Sequence, residues 1–239
     1  MKNFLEGRKC PIARKILLFF VVYSGHKSLA MADNYLEKRE QEIREGHIQK
    51  VVRKNPSLET LLKRNRSYRG YDQAREVTED ELKDIVRTVT WCASGNNEQR
   101  LRFRLVTGND AALVHPLVKL GAALPQEHLP HRGCEPSAYI VICADKDGRV
   151  TDIDMGFAAQ SILLKATEMG LGGIFILNFR PGEVAAALDL ALTPIGIIAI
   201  GKPSETIFLV PSHEGDNLSY YRKDGVHYVP KLQLEDLLI

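Results

Sequence analysis

Three short apolar runs set the tightest limit on what this chain can become: residues 139–144 (Tyr-Ile-Val-Ile-Cys-Ala), 174–177 (Ile-Phe-Ile-Leu) and 195–200 (Ile-Gly-Ile-Ile-Ala-Ile). Runs this brief, rich in β-branched residues and without polar alternation, read as strands buried on both faces. A doubly buried sheet needs covering helices, and the chain supplies them between the runs. Residues 153–169 are apolar on most sides, with Gly156, Ala158 and Ala159 permitting close approach, and Gly170 follows as a C-cap. Pro181 opens a second helix before the third run. Upstream, Thr78-Glu79-Asp80-Glu81 forms a capping box ahead of Leu82, Ile85, Val86 and Val89, which fall on one helical face. Residues 101–106 alternate apolar and basic residues as a half-buried strand does, and Gly108-Asn109-Asp110 is expected to turn it. The expected class is α/β or α+β, with helices covering one sheet.

The chain has 239 residues, room for one sizeable domain with appendages. Residues 1–30 carry Arg8, Lys9, Arg14 and Lys15, an apolar stretch at 16–23, and Ser28-Leu29-Ala30, so they resemble a signal leader superficially. The stretch is far shorter than the ~20 residues a membrane span needs. His26 and Lys27 intrude where such leaders are uncharged, and this misfit favours Met31 as an ordinary start over a working signal. Residues 31–57 are expected to form a charged helical arm with the thin apolar stripe Leu36, Ile43, Val51 and Val52. Asn55-Pro56-Ser57 closes it, and residues 58–239 form the domain.

A composition of 44% hydrophobic and 26% charged residues with net charge +2 belongs to a globular chain without the broad basic field of a nucleic-acid binder. Cys10, Cys92, Cys134 and Cys143 show no CxxC spacing and too low a density for a disulfide-stapled secreted domain, which favours a cytoplasmic location. Cys143 reads as a small buried hydrophobe. His128, His131 and Cys134, with Glu127 and His115 nearby, are zinc-ligand types. Their spacing matches no zinc knuckle, and Pro125, Pro130 and Pro136 mark a loop, expected to lie over the active site rather than to hold a metal.

Three further elements carry chemistry. Arg66-Ser67-Tyr68-Arg69 begins where a short helix ends, and two guanidiniums flanking a hydroxyl suit a phosphate. Ser94-Gly95-Asn96-Asn97-Glu98-Gln99 presents carboxamides, each both donor and acceptor, ahead of a strand. Gly170-Leu171-Gly172-Gly173 runs from helix to strand, the reverse of a dinucleotide fingerprint, and leads to Leu177-Asn178.

In this order and spacing the elements resemble the nitroreductase family, whose pattern runs Arg-Arg-Ser-x-Arg, then Ser-x-x-Asn-x-Gln, then Gly-Leu-Gly. Ile198-Ala199-Ile200-Gly201-Lys202-Pro203 also resembles the family's strand ending in Gly-Tyr-Pro. The resemblance implies an obligate-type homodimer with FMN at its interface, and the arm is then a candidate dimer wrap. It implies that NADH or NADPH reduces the flavin, which passes electrons to a nitro, quinone or similar electron-poor acceptor. The alternatives are a specialised reductive enzyme of the same fold, such as a dehalogenase or flavin-cleaving enzyme, or a flavin-binding dimer with little turnover. Carried over residue by residue, it places Arg66, Ser67 and Arg69 on the phosphate and the ribityl or pyrimidine edge. Asn97 and Gln99 go to the ring, the backbone at Leu177 and Asn178 beside N5, and Lys231 to the phosphate. No catalytic side chain and no metal are implied. Asn65 and Arg100-Leu101 depart from the pattern, which has arginine and Pro-Trp there.

Overall fold

The computed structural model describes residues 55–239 apart from residues 122 and 123. The leader and all but the last three residues of the arm lie outside the described residues.

Helix α1 (Leu58–Arg64) is capped by Ser57, whose hydroxyl accepts from the Thr60 amide at 3.2 Å. Helix α2 (Glu79–Arg87) carries the expected capping box, with Thr78 and Glu81 each accepting from the other's backbone N–H. Strand β1 (Leu101–Thr107) exposes Arg102 and Arg104 and buries Val106 further along the same face. The turn expected at Gly108 is instead the start of helix α3 (Gly108–Val114). Only Gly108 is turn-like, at φ +56, and the apolar run behind it buries Ala111 and Val114. Strand β2 (Ala138–Ala144) is buried at every position. Helix α4 (Arg149–Glu168), strand β3 (Gly172–Ile176), helix α5 (Pro181–Ala187) and strand β4 (Thr193–Gly201) follow.

The strands order as β1-β2-β4-β3, every pair antiparallel, so the alternation of helix and strand builds an α+β sheet rather than a parallel one. Because side chains alternate across a sheet, β2 and β4 feed two cores. Tyr139, Val141, Ile197 and Ala199 pack toward α3 and α5. Ile140, Ile142, Ile198 and Ile200 pack toward α2 and α4. Helix α4 ends where expected, with Gly170 at φ +76.

The chain closes with a second sheet that the apolar pattern did not announce. Strands β5 (Ile207–Ser212), β6 (Tyr221–Lys223) and β7 (Val226–Leu232) order as β5-β7-β6, with β5 parallel and β6 antiparallel to β7. No helix among the described residues is long and apolar enough to cross a membrane.

Candidate functional site

After α1 the chain is extended at Asn65 and runs along the outer edge of β3. Ser67 makes a parallel bridge to Gly173, and the Tyr68 amide donates to the Gly173 carbonyl at 3.1 Å. Tyr71 bridges to Pro203, and the Asp72 amide donates to Lys202 O at 2.8 Å. The glycines of β3 and β4 allow this approach. A Cβ on Gly172 would stand 2.5 Å from the Tyr68 ring, and one on Gly201 2.6 Å from the Tyr71 ring. Gly172 therefore serves the packing of Tyr68.

The segment forms one wall of a cavity of about 360 Å³. Asn65, Arg66, Ser67 and Arg69 line one side, Gln160 and Leu163 of α4 with Gly173 another, and the small sheet closes it with Ile207, Tyr220, His227, Val229 and Lys231. Strand alternation puts His227, Val229 and Lys231 on the same face of β7. The structure thus brings together Arg66, Ser67, Arg69 and Lys231, residues far apart in the chain.

The two arginines differ. Arg66 is half-buried; its Nη2 donates to the Leu62 carbonyl, while its Nε is buried without a protein partner. Burial draws its guanidinium below the usual arginine value. Arg69 is only 7% exposed and is held by the protein itself: Nε donates to Leu120 O, Nη1 to Ser67 O at 2.9 Å, and the guanidinium lies 4.9 Å from the centre of the Tyr220 ring. A symmetrical two-arginine clamp is therefore not what forms, because Arg69 spends two donors on backbone carbonyls of its own chain. Beneath it, Glu205 accepts from the Arg69 amide and pairs with Arg222 of β6. These two side chains are 2% and 9% exposed.

The amide loop lies elsewhere. Ser94 Oγ and the Gly95 amide bind the Asp154 carboxylate on α4 at 2.7 and 2.9 Å. Asn97 and Gln99 are exposed, joined by a 3.0 Å hydrogen bond, and both left-handed at φ +55 and +48. Neither lines the cavity. Leu177 and Asn178 are exposed just past the far end of β3, about 13 Å along the strand from Gly173. The loop carrying His128 and His131 does not line the cavity either; Leu129 packs against Gly121 and the Cys134 carbonyl accepts from the Tyr71 amide. Among the described residues, no three His, Cys, Asp or Glu side chains gather as a metal site.

Sequence reasoning missed Gln160, Glu205, Tyr220, Arg222 and His227. A usable signal was present at Asp224-Gly225. Both residues have positive φ, +52 and +77, as a tight hairpin turn requires, and Asp-Gly between alternating segments is a hairpin mark. That hairpin would have placed His227 and Lys231 on one face.

Against known proteins, residues 62–202 match the model of the nitroreductase family. A curated protein of Methanothermobacter thermautotrophicus, named as an NADH dehydrogenase or NAD(P)H nitroreductase, is 28% identical over 168 residues, 66% of this chain and 83% of the relative. An FMN- and NADPH-dependent nitroreductase from a Sphigopyxis species superposes with a TM-score of 0.54 at 20% identity, over 62% of this chain and 89% of that one. A nitroreductase from Exiguobacterium sibiricum 255-15, crystallised with FMN, gives 0.52 at 18% identity, over 63% and 90%. Both structural likenesses concern the fold, and the family match covers more than half of the sequence. The chain belongs to the nitroreductase family.

Proposed function

We propose that the cavity holds FMN and that the protein is an NAD(P)H-dependent flavin oxidoreductase serving a nitro, quinone or similar electron-poor acceptor. The observation that carries this reading is the meeting of Arg66, Ser67, Arg69 and Lys231 around one cleft, where the Arg66 Nε–H, a donor only, is buried without a protein acceptor. An anionic oxygen in the cleft meets that need. Bound there, the flavin supplies the redox chemistry, taking electrons from the nicotinamide and passing them on. The protein binds and tunes: Arg66, Ser67 and Lys231 hold the phosphate, and Arg69 keeps positive charge close to the pyrimidine edge, where negative charge grows on reduction.

The reading includes a homodimer, with residues 58–239 as its folded unit and the 31–57 arm as a wrap. Val150, Ile153 and Phe157 project from the first half of α4 at 43%, 46% and 50% exposure, one apolar stripe at helical spacing. The same half carries the amide loop through Asp154, whereas Gln160 and Leu163 line the cleft from the second half. A second copy covering the stripe brings its Asn97 and Gln99 toward this copy's cleft, which explains why one chain leaves them outside. Leu177 and Asn178, beyond β3, are assigned to the ring end.

The test is direct. Purified protein is expected to be yellow and dimeric by light scattering, to bleach with NADH or NADPH without oxygen, and to recolour with a nitroaromatic. A colourless dimer that ignores added FMN refutes the assignment.

A further inference from the structure

Arg66 and His227 both line the cleft, and each holds a buried side-chain nitrogen with no partner in the protein, Arg66 Nε and His227 Nδ1. The second lies outside every motif that points to the family, and beyond the matched residues 62–202. An unmet buried hydrogen-bonding group is costly, so its persistence at a cleft points to a ligand contact. His227 is 2% exposed and firmly placed. Its amide donates to Thr206 O at 3.0 Å, its ring lies 5.2 Å from that of Tyr220, and Arg69 covers the Tyr220 ring.

We propose that His227 is a cofactor-binding residue, its imidazole donating Nδ1–H to a phosphate oxygen of FMN beside Arg66 and Lys231. This rests on the cleft being the FMN site. The charged groups near the ring are Arg69, Arg222 of β6, Glu205 before β5 and Lys231 on its own strand, and Glu205 is already engaged by Arg222 and the Arg69 amide. Burial first, then Arg69 and Arg222, holds the imidazole down to about 4, so it is neutral near pH 7. A neutral N–H adds a donor to a cleft already rich in cations without adding to their mutual repulsion. A phosphate, with three acceptor oxygens, can serve Arg66, Lys231 and His227 together.

The experiment compares FMN with riboflavin, which lacks the phosphate, by titrating apoprotein and following flavin fluorescence. In His227→Phe, which keeps a ring against Tyr220, the preference for FMN over riboflavin is expected to fall by about tenfold. In His227→Asn, whose amide nitrogen reaches the Nδ1 position, it is expected to recover to within about threefold of wild type. His227→Gln, which reaches the Nε2 position instead, is read in place of the phenylalanine variant if that one does not fold, and is expected to lose the preference. An unchanged preference, or equal weakening of both flavins, overturns the phosphate contact. Wild-type protein that binds neither flavin overturns the cofactor assignment itself, a different failure.

Discussion

The two sheets divide the work of the molecule unequally. The β1-β2-β4-β3 sheet is apolar on both faces and sandwiched by helices, and it lies within the stretch that defines the family. The β5-β7-β6 sheet lies past that stretch and supplies the cleft with His227 and Lys231, with Tyr220 just before β6, while Arg222 and Glu205 tie it to Arg69. The larger sheet holds the fold by burial; the smaller holds a binding surface by charge and hydrogen bonds. The first therefore tolerates change at its exposed rim, and the second depends on a few polar contacts.

The largest effect is expected where that dependence is sharpest. Glu205→Ala leaves Arg222 buried without its carboxylate and the Arg69 amide without its acceptor, a loss of about 3–5 kcal/mol. Hydrogen exchange should show β7 losing protection while β2 and β4 keep theirs. A uniform loss in both sheets would mean that they open as one unit, and the division drawn above would fail. Ile198→Ala is the reciprocal change. Ile198 is fully buried between β2 and β3, and removing its side chain should cost about 2–5 kcal/mol in denaturant unfolding, with FMN affinity unchanged while the protein is folded.

The same contrast decides what could be read in advance. Residues 139–144 and 195–200 declare themselves because doubly buried strands must be apolar throughout, and Thr78 declares α2 because its cap is local. The small sheet is half-exposed, its strands are short, and β5 reaches β7 in parallel from a distance, so no periodic signal of comparable strength exists. Arg66 and Lys231 were legible as members of a motif. Their meeting was not, since it depends on a sheet that the pattern hid. Arg69 was read as a ligand group, but whether a guanidinium faces a ligand or a carbonyl is a tertiary fact; the carbonyls of Leu120 and Ser67 claim two of its donors.

That difference between the arginines sets the third expectation. Arg66→Ala should weaken FMN by about 1.5–3 kcal/mol, the worth of a charged hydrogen bond, with little change in melting temperature. Arg69→Ala should weaken FMN and also lower the melting temperature, because it removes two hydrogen bonds to backbone carbonyls, one of them buried, and uncovers Tyr220. An FMN titration unchanged in both variants would move the phosphate elsewhere.

The last expectation is a pH dependence to which His227 of the small sheet contributes. The imidazole of His227 lies near 4 in the folded chain against 6.5 as the ordinary value, with burial the main cause and Arg69 and Arg222 next. Between these values the unfolded chain holds more protons at this site than the folded one, so stability falls as pH drops from about 6.5 toward 4 and is unaffected by this group above that window. In apoprotein the melting temperature should decline across the window, and His227→Asn should decline less steeply. A phosphate on Nδ1 favours the charged imidazole and raises its value in the folded chain toward the ordinary one, so FMN should make the decline shallower and take up protons when it binds near pH 5.5, measurable as a buffer-dependent heat in calorimetry. Parallel melting curves for wild type and His227→Asn would show that the acid sensitivity arises from other groups.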